Sequence, residues 1–312
     1  MANPLDKTIL IYPHMKYTDD NGGVNVQYYL ASVLKSYNIN VKMFNHIDST
    51  NEIFSDFTNT FDNENTIVIY CEGVFGNPLN AKYVVRWMLS ELGKNIPYNW
   101  VNTWGKSELV YYFLSELKIK DSPEKLNSIY KFLTMIYVKP NTFINLKRPR
   151  DGFIHTFKKS SYHKNGIQQI HPDNSHFIEN FLNYNHMVDV FNNYKYFICY
   201  DPCSFLIYIA ALCGCIPILY KVDNVSKEEY FNGKADINSI FYQYYMDHEY
   251  INYPGIAYGL EDIHHAESTL HLLPDLLFKQ IEYMNMKSLD NFINDMKQFD
   301  NNINTIQNNF YK

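Results

Sequence analysis

The sequence predicts an α/β fold made of doubly wound parallel sheets, one in each half of the chain. The first observation is a set of short, continuous apolar runs, which are typical of strands buried on both faces of a parallel sheet. The second is the order of elements, because loops and helical segments separate these runs in both halves. The third is the length of 312 residues, which suffices for two domains with separate hydrophobic cores.

The first half of the chain repeats a pattern of strand, loop and helix. Its apolar runs predict strands at Thr8–Tyr12, Asn40–Phe44, Thr66–Tyr70 and Asn99–Trp104. Its helical spacing of apolar side chains predicts helices at Val24–Tyr37 and Ala81–Leu92, with Arg86 available at the flank of the second.

Two loops of the first half carry candidate ligand-binding residues. Asp20 precedes the adjacent glycines Gly22 and Gly23, which stand directly before a predicted helix. Glycines in that position let a ligand approach the helix N-terminus closely, although the same pair also suits a tight turn. Glu72 follows the strand Thr66–Tyr70 and is expected at the carboxyl edge of the sheet. There it is either a general base or hydroxyl ligand, or a cap of the next helix.

A linker is expected at Asn141–Gly152, because that run combines a proline and a glycine with three basic residues. We therefore predict two domains, residues 1–148 and residues 149–312. The second domain opens with a predicted strand at Phe153–Phe157, which Lys158 and Lys159 follow. Cations at the end of that strand could neutralise a diphosphate.

The segment Lys195–Asp223 predicts a central unit of strand, helix and strand. Its elements are a strand at Phe197–Tyr200, a helix at Phe205–Leu212 capped by Ser204, and a strand at Ile216–Tyr220. In such a crossover the helix N-terminus lies at the carboxyl edge of the sheet, where its N–H groups can bind phosphate. The turn Asp201–Ser204 would then face a ligand, although a buried unit without a ligand explains the same pattern. Elsewhere the spacing predicts a helix at Asn185–Asn193 and a long helix or a helix pair from Phe278 to the end.

Composition argues against a nucleic-acid partner. The formal net charge is −6 and the isoelectric point is about 6.0, whereas binding to phosphate backbones needs a concentrated basic surface. No apolar run is long enough to span a membrane and no export signal is visible, so a cytoplasmic location is expected.

No metal site is expected either. Four of the five cysteines fall between Cys199 and Cys215 without a CxxC pair, so they are expected to be buried thiols in a reducing compartment. The histidines His264, His265 and His271 lie on a predicted helix, but no carboxylate completes a zinc-binding pattern there. Solvated or interface roles are therefore favoured for them.

Three segments resemble a group of GT-B type glycosyltransferases from bacteria and large DNA viruses. They are TIVIYCEGVFGNPLNAKYVVRWML, YDPCSFLIYIAALCGCIPILY and AYGLED. In that group a strand that ends in Tyr-Pro-Glu precedes Gly-Asn-Pro-Leu-Asn-Ala, and a Tyr-Asp pair precedes a helix that starts with Thr- or Ser-Phe. This chain differs at Cys71, where the group usually has proline, and at Lys158, where arginine is common. It also lacks the spaced glutamate pair of many retaining GT-B enzymes.

The resemblance implies a GT-B fold, with two Rossmann-like doubly wound domains facing a central cleft and a C-terminal helix. It implies an acceptor-side N-terminal domain and a C-terminal domain that holds most of the nucleotide sugar. The residues implied at the nucleotide or its diphosphate are Lys158, Lys159, Tyr200, Asp201, Ser204 and Phe205. Those implied at the donor phosphate side are Gly22 and Gly23, and those implied at the acceptor are Glu72, Asn77 and Asp20.

The expected function is therefore transfer of a sugar from a nucleotide-diphosphate sugar to a glycan or other hydroxyl acceptor, without a metal or a cofactor. A helix dipole and basic side chains can stabilise the leaving diphosphate, while one carboxylate or histidine must take the acceptor proton. Glu72, Asp20 and His14 are candidates for that base, and Glu72 is preferred.

A non-catalytic nucleotide- or glycan-binding module is the alternative function. A one-domain methyltransferase fits less well, because the second half of the chain repeats the architecture of the first. The expected location is the cytoplasm, which for a viral protein is that of the host. The donor nucleotide and sugar, the acceptor, the stereochemistry and the oligomeric state stay open.

Overall fold

The structure is a computed structural model that describes residues 5–19, 21–45, 53–93, 95–114, 117, 119, 131–158, 167–202, 204–232, 244, 246–248 and 252–299. The chain forms two units. Unit 1 comprises Met1–Tyr137, Asn238–Ile240 and Met284–Lys312, and unit 2 comprises Val138–Ile237 and Phe241–Tyr283.

Unit 1 contains a parallel sheet, the N-terminal sheet, with seven described strands. They are β1 (Thr8–Tyr12), β2 (Val41–Phe44), β3 (Phe57–Thr58), β4 (Thr66–Cys71), β5 (Tyr83–Met88), β6 (Leu109–Tyr112) and β7 (Lys131–Phe132). Their spatial order is β3-β2-β1-β4-β5-β6-β7, and all the pairings are parallel. The chain therefore builds outward from β1 in one direction and then in the other, so a topological switch point lies between β1 and β4.

The centre of this sheet is buried on both faces, which explains its continuous apolar runs. Every residue of β4 and β5 is buried. Helix α1 (Gly22–Ser36) follows β1 and buries Val24, Leu30 and Leu34 in the core of unit 1. Helix α6 (Leu273–Lys297) contributes Leu289, Phe292 and Met296 to the same core.

Two sequence predictions in unit 1 are wrong. The predicted helix Ala81–Leu92 contains strand β5, whose sequence YVVRWM is rich in β-branched and aromatic side chains. A strand buried on both faces has no alternation, so its apolar residues also satisfied a helical spacing. Arg86 is consequently in the middle of the sheet and fully buried, not available at a flank. The predicted strand Asn99–Trp104 is a 3-10 helix, Tyr98–Thr103, whose Thr103 hydroxyl donates to the Trp100 carbonyl at 2.7 Å.

Unit 2 contains a second parallel sheet, the C-terminal sheet, with five described strands. They are β8 (Asp151–Thr156), β9 (His176–Phe177), β10 (Tyr194–Cys199), β11 (Ile216–Leu219) and β12 (Ala257–Tyr258). The spatial order β12-β11-β10-β8-β9 is that of a flavodoxin-like sheet, and its switch point lies between β8 and β10. The helices are α2 (Tyr184–Asn193), α3 (Leu206–Leu212), α4 (Lys227–Asn232) and α5 (Ile263–Thr269).

The main sequence predictions for this unit are confirmed. The predicted strand Phe153–Phe157 corresponds to β8, and the predicted helix Asn185–Asn193 corresponds to α2. The central strand, helix and strand are β10, α3 and β11. Two parallel sheets with helical crossovers thus confirm the predicted α/β fold. No helix in the described part of the chain is both long and apolar enough to cross a membrane.

Candidate functional site

The candidate sites are the carboxyl edges of the two sheets at their switch points. In open parallel sheets the loops that follow the strands diverge at such a point and leave a crevice, where ligands bind. Both edges carry residues that the sequence predicted.

His14 lies on the loop after β1 and is held by the first helix. The Gln27 side-chain nitrogen lies 3.0 Å from His14 Nδ1 and also donates to the Gly23 carbonyl at 3.1 Å. Because the amide nitrogen donates, Nδ1 accepts and the imidazole proton is on Nε2. Burial lowers the pKa of His14 below its usual 6.5, which favours the neutral ring. A Cβ at Gly73 would lie 3.3 Å from His14 Cδ2, so this ring contacts the loop after β4.

Glu72 ties the end of β4 to the end of β5. Its carboxylate is buried, and its two oxygens accept from the Leu89 N–H at 2.8 Å and from the Ser90 hydroxyl at 2.7 Å. Burial raises the pKa of Glu72 above its usual 4.5, while the two hydrogen bonds act in the opposite direction. Glu72 is therefore a more basic carboxylate than usual. It does not cap a helix, because a strand follows.

The loop between Glu72 and β5 is fixed by Arg86. The guanidinium Nε donates to Glu108 at 2.6 Å, Nη1 donates to the Val74 carbonyl at 3.1 Å, and Nη2 donates to the Gly76 carbonyl. The Arg86 side chain is fully buried and that of Glu108 is 6% exposed. The ion pair therefore shapes the loop beside the switch point, a role that the sequence analysis missed.

Asn77 has a structural role within the same loop. Its side-chain oxygen accepts from the Tyr70 hydroxyl and from the Ala81 N–H, each at 2.9 Å, and its nitrogen donates to the Ala81 carbonyl at 2.9 Å. The amide group that was predicted to face an acceptor is thus hydrogen-bonded to its own loop and to β4.

The paired glycines lie inside the first turn of α1, not before the helix. Asn21 is the N-cap, and its side-chain oxygen accepts from the Val24 N–H at 3.0 Å. A Cβ at Gly22 would meet open space, whereas one at Gly23 would lie 3.8 Å from Leu89. Gly22 therefore leaves room for a ligand at the helix N-terminus. Asp20 lies outside the described residues.

Lys158 and Thr156 lie where β8 ends in unit 2. Lys158 has a left-handed backbone with φ of 44°, and its Nζ donates to the Asn180 side chain at 3.3 Å. The Thr156 hydroxyl is buried, and within the described residues it has no hydrogen-bond partner. A buried polar group without a partner is costly, so this hydroxyl is a candidate ligand contact. Lys159 lies outside the described residues.

Tyr200 follows β10 and organises the neighbouring loop. Its ring stacks on Phe157 with the centroids 4.5 Å apart. Its hydroxyl accepts from the Ile170 N–H at 2.7 Å and from the His171 N–H at 3.2 Å, and it lies 2.8 Å from His171 Nδ1. The hydroxyl therefore holds residues 170–171 against the sheet. Tyr200 itself, which was predicted to border a nucleotide, is part of an aromatic cluster.

The turn from β10 into α3 differs slightly from the prediction. Asp201 is buried, and its carbonyl accepts from the Ser204 N–H at 3.3 Å. The helix begins at Leu206 with Phe205 as its N-cap residue, so Ser204 does not occupy the predicted capping position. Its hydroxyl accepts a long hydrogen bond of 3.4 Å from the Leu206 N–H.

The loops after β11 and β12 add charged residues that the sequence analysis did not select. Lys221 pairs with Glu261, and Lys227 pairs with Asp262 at 2.7 Å. Gly259 lies against the first pair with φ of 87°, and a Cβ there would lie 2.6 Å from Lys221 Cε. The AYGLED segment carries this glycine and both acidic residues, and that is the signal which could have identified them.

No protein-family model matches the chain, and no curated protein matches it significantly. Among the described residues no group of three or more His, Cys, Asp or Glu side chains could hold a metal ion.

Proposed function

We propose that the chain is a glycosyltransferase that uses a nucleotide-diphosphate sugar as donor and needs no metal. The observation that carries the proposal is the carboxyl edge of the C-terminal sheet at its switch point. There the cation Lys158, the buried hydroxyl of Thr156 and the turn into α3 follow two neighbouring parallel strands. Neighbouring strands of this kind bind nucleotides in doubly wound folds.

The donor side of the proposed reaction uses unit 2. A leaving diphosphate accumulates negative charge as the sugar bond breaks, and cations or N–H groups directed at it lower the barrier. Lys158 with Lys159 would supply the charge, and the backbone at Ser204 and Phe205 would supply N–H groups. The Ser204 N–H would then exchange its 3.3 Å hydrogen bond to the Asp201 carbonyl for one to the phosphate. Tyr200 would contribute indirectly, because its hydroxyl holds the loop that packs against Phe157.

The acceptor side of the proposed reaction uses unit 1, and the GT-B arrangement of two domains around one cleft is part of the proposal. An acceptor hydroxyl must lose its proton during transfer. Glu72 suits that role because burial raises the pKa of its carboxyl group toward the working range of a base. His14 suits it less in this arrangement, because the imidazole accepts from Gln27 through Nδ1 and carries its proton on Nε2.

One observation favours a non-catalytic binding module as the second candidate. Both oxygens of Glu72 already accept hydrogen bonds, from Leu89 and Ser90, as a purely structural carboxylate would. Each oxygen keeps a further lone pair, so the carboxylate can still accept a proton from an acceptor hydroxyl. Binding and turnover must therefore be measured separately.

Donor binding is tested by a thermal-shift screen of the full chain against UDP, GDP, TDP, CDP and their common sugar conjugates. A ligand that binds only the native state raises the melting temperature by mass action. We expect one nucleotide family to stabilise the protein. If none does, and titration calorimetry also detects no binding, the donor site assigned to unit 2 is wrong.

The diphosphate contact is tested by the double variant Lys158→Ala/Lys159→Ala. Two cations lost from a diphosphate should weaken binding by about 10- to 100-fold, because charge-assisted hydrogen bonds are among the stronger ones. The matched control is Lys279→Ala, an exposed lysine on α6. Unchanged affinity in the double variant would remove both lysines from the phosphate site.

Catalysis is tested by Glu72→Gln, which keeps the shape of the side chain and removes its basicity. We expect turnover to be abolished while the nucleotide affinity is retained. Glu64→Gln is the control, because Glu64 is a 69% exposed carboxylate of the same unit. Equal turnover in Glu72→Gln and wild type would exclude Glu72 as the base. A chain that binds a nucleotide sugar but never turns it over would establish the binding module.

A further inference from the structure

Unit 2 has a pocket at the edge of its sheet opposite to the candidate site. The pocket has a volume of about 320 Å³ and is lined by Arg148, Arg150, Lys195, Gly214, Ile216 and Glu267. Lys195 is the second residue of β10 and Ile216 is the first residue of β11, so the pocket lies at the amino ends of these strands. Lys158 and Tyr200 follow β8 and β10 at their carboxyl ends, so they belong to a different site.

The lining of this pocket is cationic, although the whole chain is acidic. Three basic side chains and one carboxylate line it, whereas the formal net charge of the chain is −6. The side chains of Arg148 and Lys195 are 41% and 47% exposed, so a solute can reach them. Each has one acidic neighbour, Asp189 at 2.5 Å from Arg148 and Glu267 at 3.0 Å from Lys195.

Arg150 is the fixed element of the pocket. Its Nη2 donates to Asn145 at 2.7 Å, to Asn192 at 2.8 Å and to the Cys213 carbonyl at 2.7 Å. These acceptors are neutral, so they orient the guanidinium without balancing its charge. Its Nε is buried and has no hydrogen-bond partner within the described residues. Arg150 therefore keeps both charge and donor capacity that the fold does not use.

Gly214 makes this arrangement possible. It follows α3 with φ of 89°, and a Cβ at this position would lie 2.4 Å from Asn145 Nδ2 and 2.9 Å from Arg150 Nη2. Any side chain would therefore displace Asn145 and the guanidinium that it orients. The glycine both turns the chain into β11 and leaves room for these two side chains.

We propose that this pocket binds the phosphate monoester of a small molecule. Guanidinium and ammonium groups are the preferred partners of phosphate oxygens in proteins. Asp189 and Glu267 balance Arg148 and Lys195, so the charge left over is that of Arg150, which attracts an anionic phosphate oxygen. The volume lies at the lower end of the range for small-molecule sites, about 300–1,000 Å³, which fits a ligand of monosaccharide size. The fixed guanidinium of Arg150 reduces the ordering that binding requires.

The test is titration calorimetry of the full chain with inorganic phosphate and with glucose 1-phosphate. Flotation with vesicles of phosphatidic acid in phosphatidylcholine distinguishes a lipid headgroup from a soluble ester. The variant Arg148→Gln/Lys195→Gln should weaken binding by about tenfold or more, because two charge-assisted contacts are lost. Glu267→Gln should strengthen binding, because it frees Lys195 from its ion pair. A merely structural role of Glu267 would not produce that gain.

A control variant locates the binding. Lys279→Gln removes an exposed charge elsewhere in unit 2. Binding of any probe that the pocket variant weakens and Lys279→Gln leaves unchanged supports the proposal and identifies the source of the phosphate. No binding of all three probes, or binding that the pocket variant leaves unchanged, overturns it. This outcome is independent of nucleotide-sugar binding at the carboxyl edge.

Discussion

The carboxyl edges of the two sheets are built from different interactions. In unit 1 buried charges hold the edge, since Arg86 binds two carbonyls of the loop after β4 and Glu72 ties that loop to the end of β5. In unit 2 aromatic rings hold the edge, since Tyr200 lies with its centroid 4.5 Å from that of Phe157 and 5.2 Å from that of Tyr220.

The difference shows how each edge can present polar groups to a ligand. A buried ion pair requires a partner for every charge, so it fixes a loop in one arrangement and uses up its polar groups. Stacked rings stabilise an edge without using cations. Lys221 in unit 2 is paired with Glu261, and its side chain is half-exposed. Unit 1 therefore has a rigid edge with a buried, basic carboxylate, and unit 2 has charged side chains that reach solvent.

The largest effect is expected from Arg86→Met. The substitution leaves Glu108 buried without its partner and leaves the carbonyls of Val74 and Gly76 without a donor. Breaking one side of a buried pair typically destabilises by about 3–5 kcal/mol. Urea unfolding followed by tryptophan fluorescence measures the change, because the ring of Trp104 lies 5.1 Å from the guanidinium.

The control separates the ion pair from the carbonyl contacts. Arg86→Met/Glu108→Leu removes both charges and should be clearly more stable than the single variant. Lys82→Met, which breaks the exposed pair with Glu64, should change stability far less. If the single and double variants are equally unstable, the loop carbonyls and not the buried charge determine the stability of this edge.

The sequence predicted the C-terminal edge better than the N-terminal one. The strand, helix and strand of Lys195–Asp223 have separate signals, namely an apolar run, a turn with a proline, and a glycine after the helix. The run Tyr83–Met88 has no such separate signals, and a strand buried on both faces also shows no period of two. Only its length of six residues and its adjacent valines could have indicated a strand.

The side-chain partners of the candidate sites could not be predicted from the sequence. Glu72 was selected because of its place after a strand, which the structure keeps. Its partners Leu89 and Ser90 follow β5, and they were assigned to a helix. Glu108 lies 22 positions from Arg86, so only the pairing of β5 with β6 brings them together. Long-range partners of this kind follow from sheet order, and local patterns do not contain that order.

An intermediate effect is expected from Tyr200→Phe, which tests the aromatic edge. The ring and its stacking remain, but the Ile170 and His171 N–H groups lose their acceptor. These donors are partly buried, so the loss of their acceptor should reduce stability by about 1 kcal/mol, the lower end of the cost of a buried unpaired donor. Amide hydrogen exchange should also become faster at these two positions. Tyr220→Phe is the control, and an equal loss in both variants would mean that the hydroxyl of Tyr200 has no special role.

The smallest effect is expected at His14, and it tests whether burial at the edge of unit 1 disfavours protonation of the imidazole. Burial lowers the pKa of His14 in the folded state, so between that value and the unfolded 6.5 the unfolded state binds more protons. The contribution of neutral His14 to stability is therefore complete above pH 6.5 and is lost as the pH falls through this window.

The variant His14→Asn keeps an acceptor for Gln27 and cannot titrate, so its urea midpoint should fall less between pH 7 and pH 5 than that of wild type. His264→Asn, at a 99% exposed imidazole, should follow wild type. An NMR titration that gave His14 a pKa above 6.5 would reverse the sign of this prediction, and it would make the ring a cation at the switch point instead of the neutral acceptor that its contact with Gln27 indicates.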